Sequence, residues 1–249
     1  MNRAPGGRVY FFMESNELFP PGGLAVVVGA SGGIGQALLG RLAEHCRFAR
    51  VLGLGRGSLP PLDLTLEESI AGAARHIRAL ELDLRLVIDA TGFLHADGIV
   101  PEKSWRDLEA EHMAQAFAIN AIGPALLMKH FLPLLPRTGK SVLATLSARV
   151  GSIGDNRLGG WYSYRASKAA LNQIVRTAAL ELTRSKPHAI CVALHPGTVA
   201  TRLSAPFAKA GLDTQTPLEA ADRLLEVIGR LNSAISGGFF DQNGVAVPW

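Results

Sequence analysis

The chain has 249 residues, 48% of them hydrophobic and 18% charged, with 25 Lys+Arg against 21 Asp+Glu for a formal net charge of +4. That apolar content excludes a disordered chain and is enough to core one or two domains. The basic residues are scattered, with no Lys/Arg cluster and no interleaving with aromatics, which excludes a nucleic-acid-tracking stripe.

Residues 1–23 read as an irregular N-terminal extension, punctuated by Pro5-Gly6-Gly7 and Pro20-Pro21-Gly22-Gly23. The apolar run 9–12 within it packs on the body or adds an edge strand. At 9–13 this stretch is too short for a signal-peptide core. Strands and helices then alternate. The continuous apolar run 24–28 suits a strand buried on both faces. Ile34, Ala37, Leu38, Leu39 and Leu42 have helical spacing. A strand is expected at 51–54, a helix over 70–80, and a strand at 86–88. Helix returns over 104–131, in two pieces. A strand at 142–146, a helix over 163–184 and a strand at 190–194 follow. Leu218, Ala221, Leu224, Leu225, Ile228 and Leu231 mark a last helix with Pro217 near its start. A short strand at 238–240 closes the pattern. This alternation predicts an α/β fold, a doubly wound parallel sheet with helices on both faces, as one continuous domain over 24–249. Cys46 and Cys191 lie too far apart for a CxxC pair or a disulfide framework, so a reducing, cytoplasmic setting is expected. The longest apolar stretch, around 126–135, is broken by Lys129, His130 and Pro133, short of the ~20 residues of a membrane span.

The first strand runs into Gly29-Ala30-Ser31-Gly32-Gly33-Ile34-Gly35. A glycine-rich turn at a strand end lets backbone approach a phosphate, and the following helix N-terminus offers free N–H groups and positive dipole. The spacing is GxxxGxG, not GxGxxG. The same residues fit G-x-S-x-G, the hydrolase nucleophile elbow, but that elbow needs upstream strands that the pattern does not supply. Further on, Tyr164 and Lys168 stand four apart on a helix and share a face. An ammonium beside a phenol lowers its pKa from about 10, which suits proton transfer near neutral pH.

These landmarks occur in order: GxxxGxG, Asn120 in Asn120-Ala121-Ile122-Gly123, Tyr164 with Lys168, and Pro196-Gly197-Thr198-Val199-Ala200-Thr201. Together they resemble the short-chain dehydrogenase/reductase family over 24–249. Residues 147–152 and 160–165 resemble its C-factor-like branch, which has carbonyl-reductase relatives. The resemblance implies a Rossmann-like sheet of about seven strands. It implies Tyr164 as general acid/base, Lys168 on the nicotinamide ribose, and Asn120 positioning a water in a proton relay that ends at Lys168. Gly29, Ser31, Gly33, Ile34, Gly35 and Gly92 would line the cofactor, Asp63 would contact its adenine, and Pro196, Gly197, Thr198, Val199 and Thr201 would hold carboxamide and phosphates.

The chain departs from the family pattern at three places. The usual Ser-Ser, whose second serine is catalytic, reads Ser147-Ala148. Ser147 fills the role after a one-residue shift, although strand alternation would turn it away; Ser152 on the following loop is the other candidate. Asn-Asn-Ala-Gly reads Asp89-Ala90-Thr91-Gly92. Gly32 precedes the second glycine, where many NADP-binding members are basic. At the second strand's end NAD enzymes place an acid on the ribose 2′-OH. Here stands Gly53-Leu54-Gly55-Arg56-Gly57-Ser58, so Arg56 is expected to bind a 2′-phosphate and NADP(H) to be preferred to NAD(H).

Phe93, Leu94, His95, Ile153, Leu158, Trp161, Leu203 and Phe207 fall in the loops around the expected site and suggest an apolar carbonyl or alcohol substrate. No metal site is read: His188 and His195 flank a strand, and HExxH is absent. The helix over 163–184 is apolar around much of its circumference, with Ala166, Ala169, Ala170, Ala178 and Ala179, which predicts a homodimer or homotetramer. The competing reading is a cofactor-binding signalling protein with little catalysis, motivated by Ser147-Ala148. Intact Tyr164, Lys168 and Asn120 favour the oxidoreductase.

Overall fold

The computed structural model describes residues 19–44, 47–96, 98–207 and 214–249; the run 9–12 and Cys46 lie outside the described residues. Six apolar runs become strands: β1 (Leu24–Val28), β2 (Arg50–Leu54), β3 (Leu84–Asp89), β4 (Ser141–Leu146), β5 (Ala189–His195) and β6 (Phe239–Asp241). They form one sheet in the order β2-β1-β3-β4-β5-β6, and every pair is parallel. Alternation sends Leu24, Val26 and Val28 into one core layer and Ala25 and Val27 into the other, which is why β1 has no polar position. The order reverses at β1, so a crevice opens at the carboxyl ends of β1 and β3.

The sheet has six strands among the described residues, not about seven. The segment between β2 and the next helix carries Pro60 and Pro61, which cannot donate to a ladder. Hydroxyl bonds fold it into turns instead, with Ser58 Oγ donating to the carbonyls of Gly55 and Pro60 and Ser69 Oγ to that of Pro61.

Among the described residues six α-helices cover the faces: α1 (Gly33–Glu44), α2 (Glu67–Ala79), α3 (Ala110–Phe117), α4 (Gly123–Phe131), α5 (Tyr162–Ser185) and α6 (Pro217–Arg230). The layer containing Leu24 and Val26 takes in α2, α4 and α5, and the opposite layer takes in α1 and α6. At the start of α6 a capping box joins Thr216 and Glu219, with Pro217 at the first position. The helix expected in two pieces is α3 and α4, joined by a π turn at Ala118–Ile122 that contains Asn120. With the 3-10 turn after α4 they make a helical run, Ala110–Leu134, that is long and apolar enough to cross a membrane where the sequence pattern suggested no such stretch. Leu127, Met128 and Phe131 of that run are in the core beside the sheet.

The sheet's outer edge at β6 is short, and the chain returns over it. Asp241 N donates to Val245 O, Val247 N to Phe239 O, and Phe240 pairs with Ala246. At the start of the described chain Phe19 is buried and packs on Phe48 at 5.4 Å, while Arg47 Nη1 donates to its carbonyl.

Candidate active site

The glycine turn sits where β1 ends. Gly29 N donates to Leu54 O at 2.8 Å and Gly32 N to Gly29 O at 3.0 Å, so the turn is tied to the end of β2. Gly29 has φ +79°, which a side chain would strain. A Cβ on Gly35 would stand 2.2 Å from Gly29 O, and one on Gly33 would stand 3.0 Å from the Thr201 methyl. The loop after β5 therefore closes on a bare backbone. Ser31 and Gly33 are exposed there, Ile34 is half-buried, and the first turn of α1 holds no acid. This is a cradle that suits a phosphate group.

Arg56 is exposed at the end of β2. Asp63 is half-buried in the turn before α2, and its Oδ1 accepts from Thr65 N (2.9 Å) and Thr65 Oγ1 (2.7 Å). Those bonds, and then the charge of Arg56, hold its carboxyl below the usual range. Around Gly92 the nearest side-chain atoms would stand 3.8 Å or more from a Cβ, so space does not select glycine there. In the loop after β5, Gly197 has φ +78° and packs on Gln215, whose Nε2 donates to Pro196 O; Val199 is buried and pairs with Gln215. Thr198 is exposed beside it.

Asn120 is fully buried because the π turn brings it inward. Its Oδ1 accepts from Phe93 N at 2.8 Å, and its Nδ2 donates to Phe93 O at 2.8 Å and to Ser167 Oγ at 3.1 Å. Ser167 Oγ in turn donates to Tyr164 O at 2.9 Å. The asparagine thus ties the loop after β3 to the first turns of α5.

Tyr164 and Lys168 share the face of α5 that meets the end of β4. Lys168 is 2% exposed, its Nζ donates to Leu146 O at 2.8 Å, and it lies 6.0 Å from the Tyr164 ring centroid. Burial pushes the Lys168 ammonium down to about 8, and the Asp89 carboxylate opposes that. Burial also pushes the Tyr164 phenol up to about 12. The spacing predicts a lowered phenol; burial raises it instead.

Ser147 is buried, and its hydroxyl donates to Asn172 Oδ1 at 2.7 Å, two helical turns beyond Tyr164. Ser152 is also buried and caps the Asp155 N–H at 3.1 Å. Ala148, which carries no hydroxyl, stands between Ser147 and the 3-10 turn at Arg149–Gly151.

Aromatic side chains wall the open side. The Trp161 ring stands 5.1 Å from Phe207 and 6.2 Å from Tyr164, and His95 stands 5.5 Å from Phe207. His95 Nε2 donates to the carbonyls of Leu203 (3.2 Å) and Arg202 (3.3 Å), which fits a loop-bridging role. Phe93 and Leu94 are buried behind, whereas Ile153 and Leu158 are 76% and 91% exposed and stand apart from this wall.

One cluster carried no sequence mark. Glu102 is 2% exposed, and its carboxylate accepts from Ser163 Oγ and Ser163 N at the start of α5, with His112 Nδ1 at 3.5 Å. Its carbonyl accepts from Trp161 N at 2.5 Å, and Trp161 is left-handed at φ +54°. Glu102 and Ser163 are 61 residues apart, so only the fold brings them together.

Comparison with known proteins bears on the same region. The family described as enoyl-(acyl carrier protein) reductase matches residues 40–229. The chain is 31% identical to 1-hydroxy-2-glutathionyl-2-methyl-3-butene dehydrogenase of Rhodococcus sp. (strain AD45) over 90% of its own length and 98% of the relative's. It is 39% identical to C-signal of Myxococcus xanthus over 57% of its length and 82% of the relative's. Among solved structures, NADPH-bound carbonyl reductase from chicken fatty liver superposes with a TM-score of 0.80 at 26% identity, covering 93% of this chain and 99% of that one.

Proposed function

The chain belongs to the short-chain dehydrogenase/reductase family, on its carbonyl-reductase-like branch, and on that premise we propose that it is an NADP(H)-dependent oxidoreductase working between a carbonyl and a secondary alcohol. The observation that carries the reading is the Tyr164–Lys168 pair over the end of β4, on the same sheet edge as the bare glycine turn.

The cofactor's residues fit. Gly29, Ser31, Gly33, Ile34 and Gly35 would take the phosphates, Arg56 the 2′-phosphate and Asp63 the adenine end, while Gly92, Pro196, Gly197, Thr198, Val199 and Thr201 would hold the nicotinamide end. No acid stands at the end of β2 to repel a 2′-phosphate, and the chicken carbonyl reductase was solved with NADPH bound. When bound, NADP(H) supplies or accepts the hydride.

The chain's own residues handle the proton. Tyr164 is protonated at neutral pH and can give its proton to a carbonyl oxygen; burial, which pushes its phenol up to about 12, makes it a weaker acid, and the neighbouring Lys168 ammonium is what eases the transfer. Lys168, down to about 8, lies close to working pH and replenishes the proton or steadies the developing phenolate. Asn120 holds the π turn and, through Ser167, the backbone of Tyr164. Ser147 serves the substrate oxygen only by releasing Asn172. Trp161, Phe207 and His95 favour an apolar substrate. The outer faces of α4 and α5 suit a second copy of the chain, in a homodimer.

The test is NADPH oxidation over a broad panel of carbonyl compounds. Wild type turns over at least one of them, and Tyr164→Phe loses roughly 10²–10⁴-fold in rate. Equal inactivity of both proteins, with NADPH still bound, overturns the reading.

A further inference from the structure

Two charged side chains are buried at the carboxyl edge of the sheet, and neither has an ionic partner within hydrogen-bonding reach among the described residues. Asp89, which closes β3, is 1% exposed. Its Oδ1 accepts from Thr91 N (3.1 Å) and Thr91 Oγ1 (2.5 Å), and its Oδ2 accepts from Thr145 Oγ1 (2.8 Å). All three donors are neutral. Lys168 is buried as deeply, and among the described residues its Nζ donates to the neutral carbonyl of Leu146 alone. A buried charge without a counter-charge is costly.

The fold sets these two charges against each other. Asp89 and Thr145 are direct neighbours in the β3–β4 ladder, and Leu146, which receives Lys168, is the next residue of β4. Val87 and Leu143, two residues before Asp89 and Thr145, face the core layer that contains α5. By alternation Asp89 and Thr145 face that layer too. Lys168 enters it from above. Where the family pattern has an asparagine, which carries no charge, this chain has Asp89.

We propose that Asp89 is a positioning residue whose carboxylate keeps Lys168 in its ammonium form beneath Tyr164. The inference rests on the reading of Tyr164 and Lys168 as the proton-transfer pair. It gives that pair a device of its own: the alkaline end of the working range is set by an acid that touches neither substrate nor cofactor.

Other titratable groups face α5 from the elements around it. Tyr164 and Arg165 are on α5 itself. Arg149, in the adjacent 3-10 turn, is paired with Asp155 at 2.5 Å. His195 at the end of β5 is pushed down to about 4, first by burial and then by Arg149, so it is neutral at working pH. Burial pushes the Cys191 thiol, also on β5, up to about 12. Asp241 of β6 accepts from the Asn243 and Val245 N–H groups. On α3 stand Glu111 and His112, the latter beside Glu102, and on α4 Lys129 and His130 both meet Glu67. The charge that acts on Lys168 is that of Asp89.

The chain has six lysines, so 13C-labelled lysine gives a readable NMR titration, with Lys168 assigned by the loss of its signal in Lys168→Arg. In the protein without cofactor, the Lys168 midpoint falls by about one pH unit in Asp89→Asn, a tenfold loss of proton affinity. Asp89→Glu restores it. If Asp89→Asn folds poorly, Asp89→Ser is the second neutral variant, since its hydroxyl can still accept from Thr145. An unchanged midpoint in either folded neutral variant overturns the proposal. The alkaline limb of kcat/KM for carbonyl reduction moves down by the same amount, whereas a merely structural defect lowers the rate at every pH and leaves the limb in place. Absence of turnover in wild type refutes the oxidoreductase reading alone, because the lysine titration still decides the role of Asp89.

Discussion

At the scale of single residues, the proposed preference for NADP(H) rests on one side chain. Arg56 is exposed between Gly55 and Gly57, at the end of a strand that carries no acid there. Its guanidinium matches a phosphate monoester with paired donors. Arg56→Ala is expected to weaken NADPH binding by about tenfold or more and to leave NADH binding nearly unchanged. A fluorescence titration of both cofactors checks this, and equal affinity for the two in wild type sinks the assignment. The position of Arg56 was legible in sequence because it depends only on where β2 ends. Ser147 was legible as a residue, but its partner was not. The bond to Asn172 spans 25 residues and depends on how α5 lies over β4. Tyr164 and Lys168 were found from their spacing. Their acidities were not, because desolvation is a property of the packed site and here it reverses the expected direction for the phenol.

At the scale of elements, the strands and helices were legible because a sheet covered on both sides leaves unbroken apolar runs, and covering helices leave a 3.6-residue period. The π turn at Ala118–Ile122 was not. One residue too many in a turn of helix leaves no compositional trace, yet it is what faces Asn120 inward. The start of α5 depends likewise on a distant residue. Glu102 satisfies the Ser163 N–H and hydroxyl, and its backbone holds Trp161 in the left-handed conformation from which the helix departs. Glu102→Ala leaves those buried donors and His112 without that acceptor. The expected cost is about 2–4 kcal/mol of unfolding free energy, measured by urea denaturation. Glu102→Gln should recover part of it, since an amide oxygen can still accept from Ser163. A midpoint equal to wild type for Glu102→Ala would show that the clamp contributes nothing.

At the scale of the molecule, a groove of about 770 Å³ between α4 and α5 is lined by Met128, Leu132, Ile174 and Ala178, with Lys129, Glu181 and Lys186 also along it. Leu180 on the same helix is 54% exposed. Apolar side chains on an outer helix face are what the proposed homodimer would cover. Light scattering at micromolar concentration should give a mass of twice the chain or more, and Ile174→Asp should return it to the monomer. A monomeric wild type would refute this assembly.

The sheet itself offers no competing way to assemble at its β6 side. A parallel sheet that ended in a bare strand would present a row of open amide and carbonyl groups, a template for runaway stacking of chains. The three residues of β6 instead spend those groups on the returning segment through Val245 and Val247. Copies of this protein at high concentration should therefore not pair strand to strand at this margin, and amyloid-like growth from it is closed off.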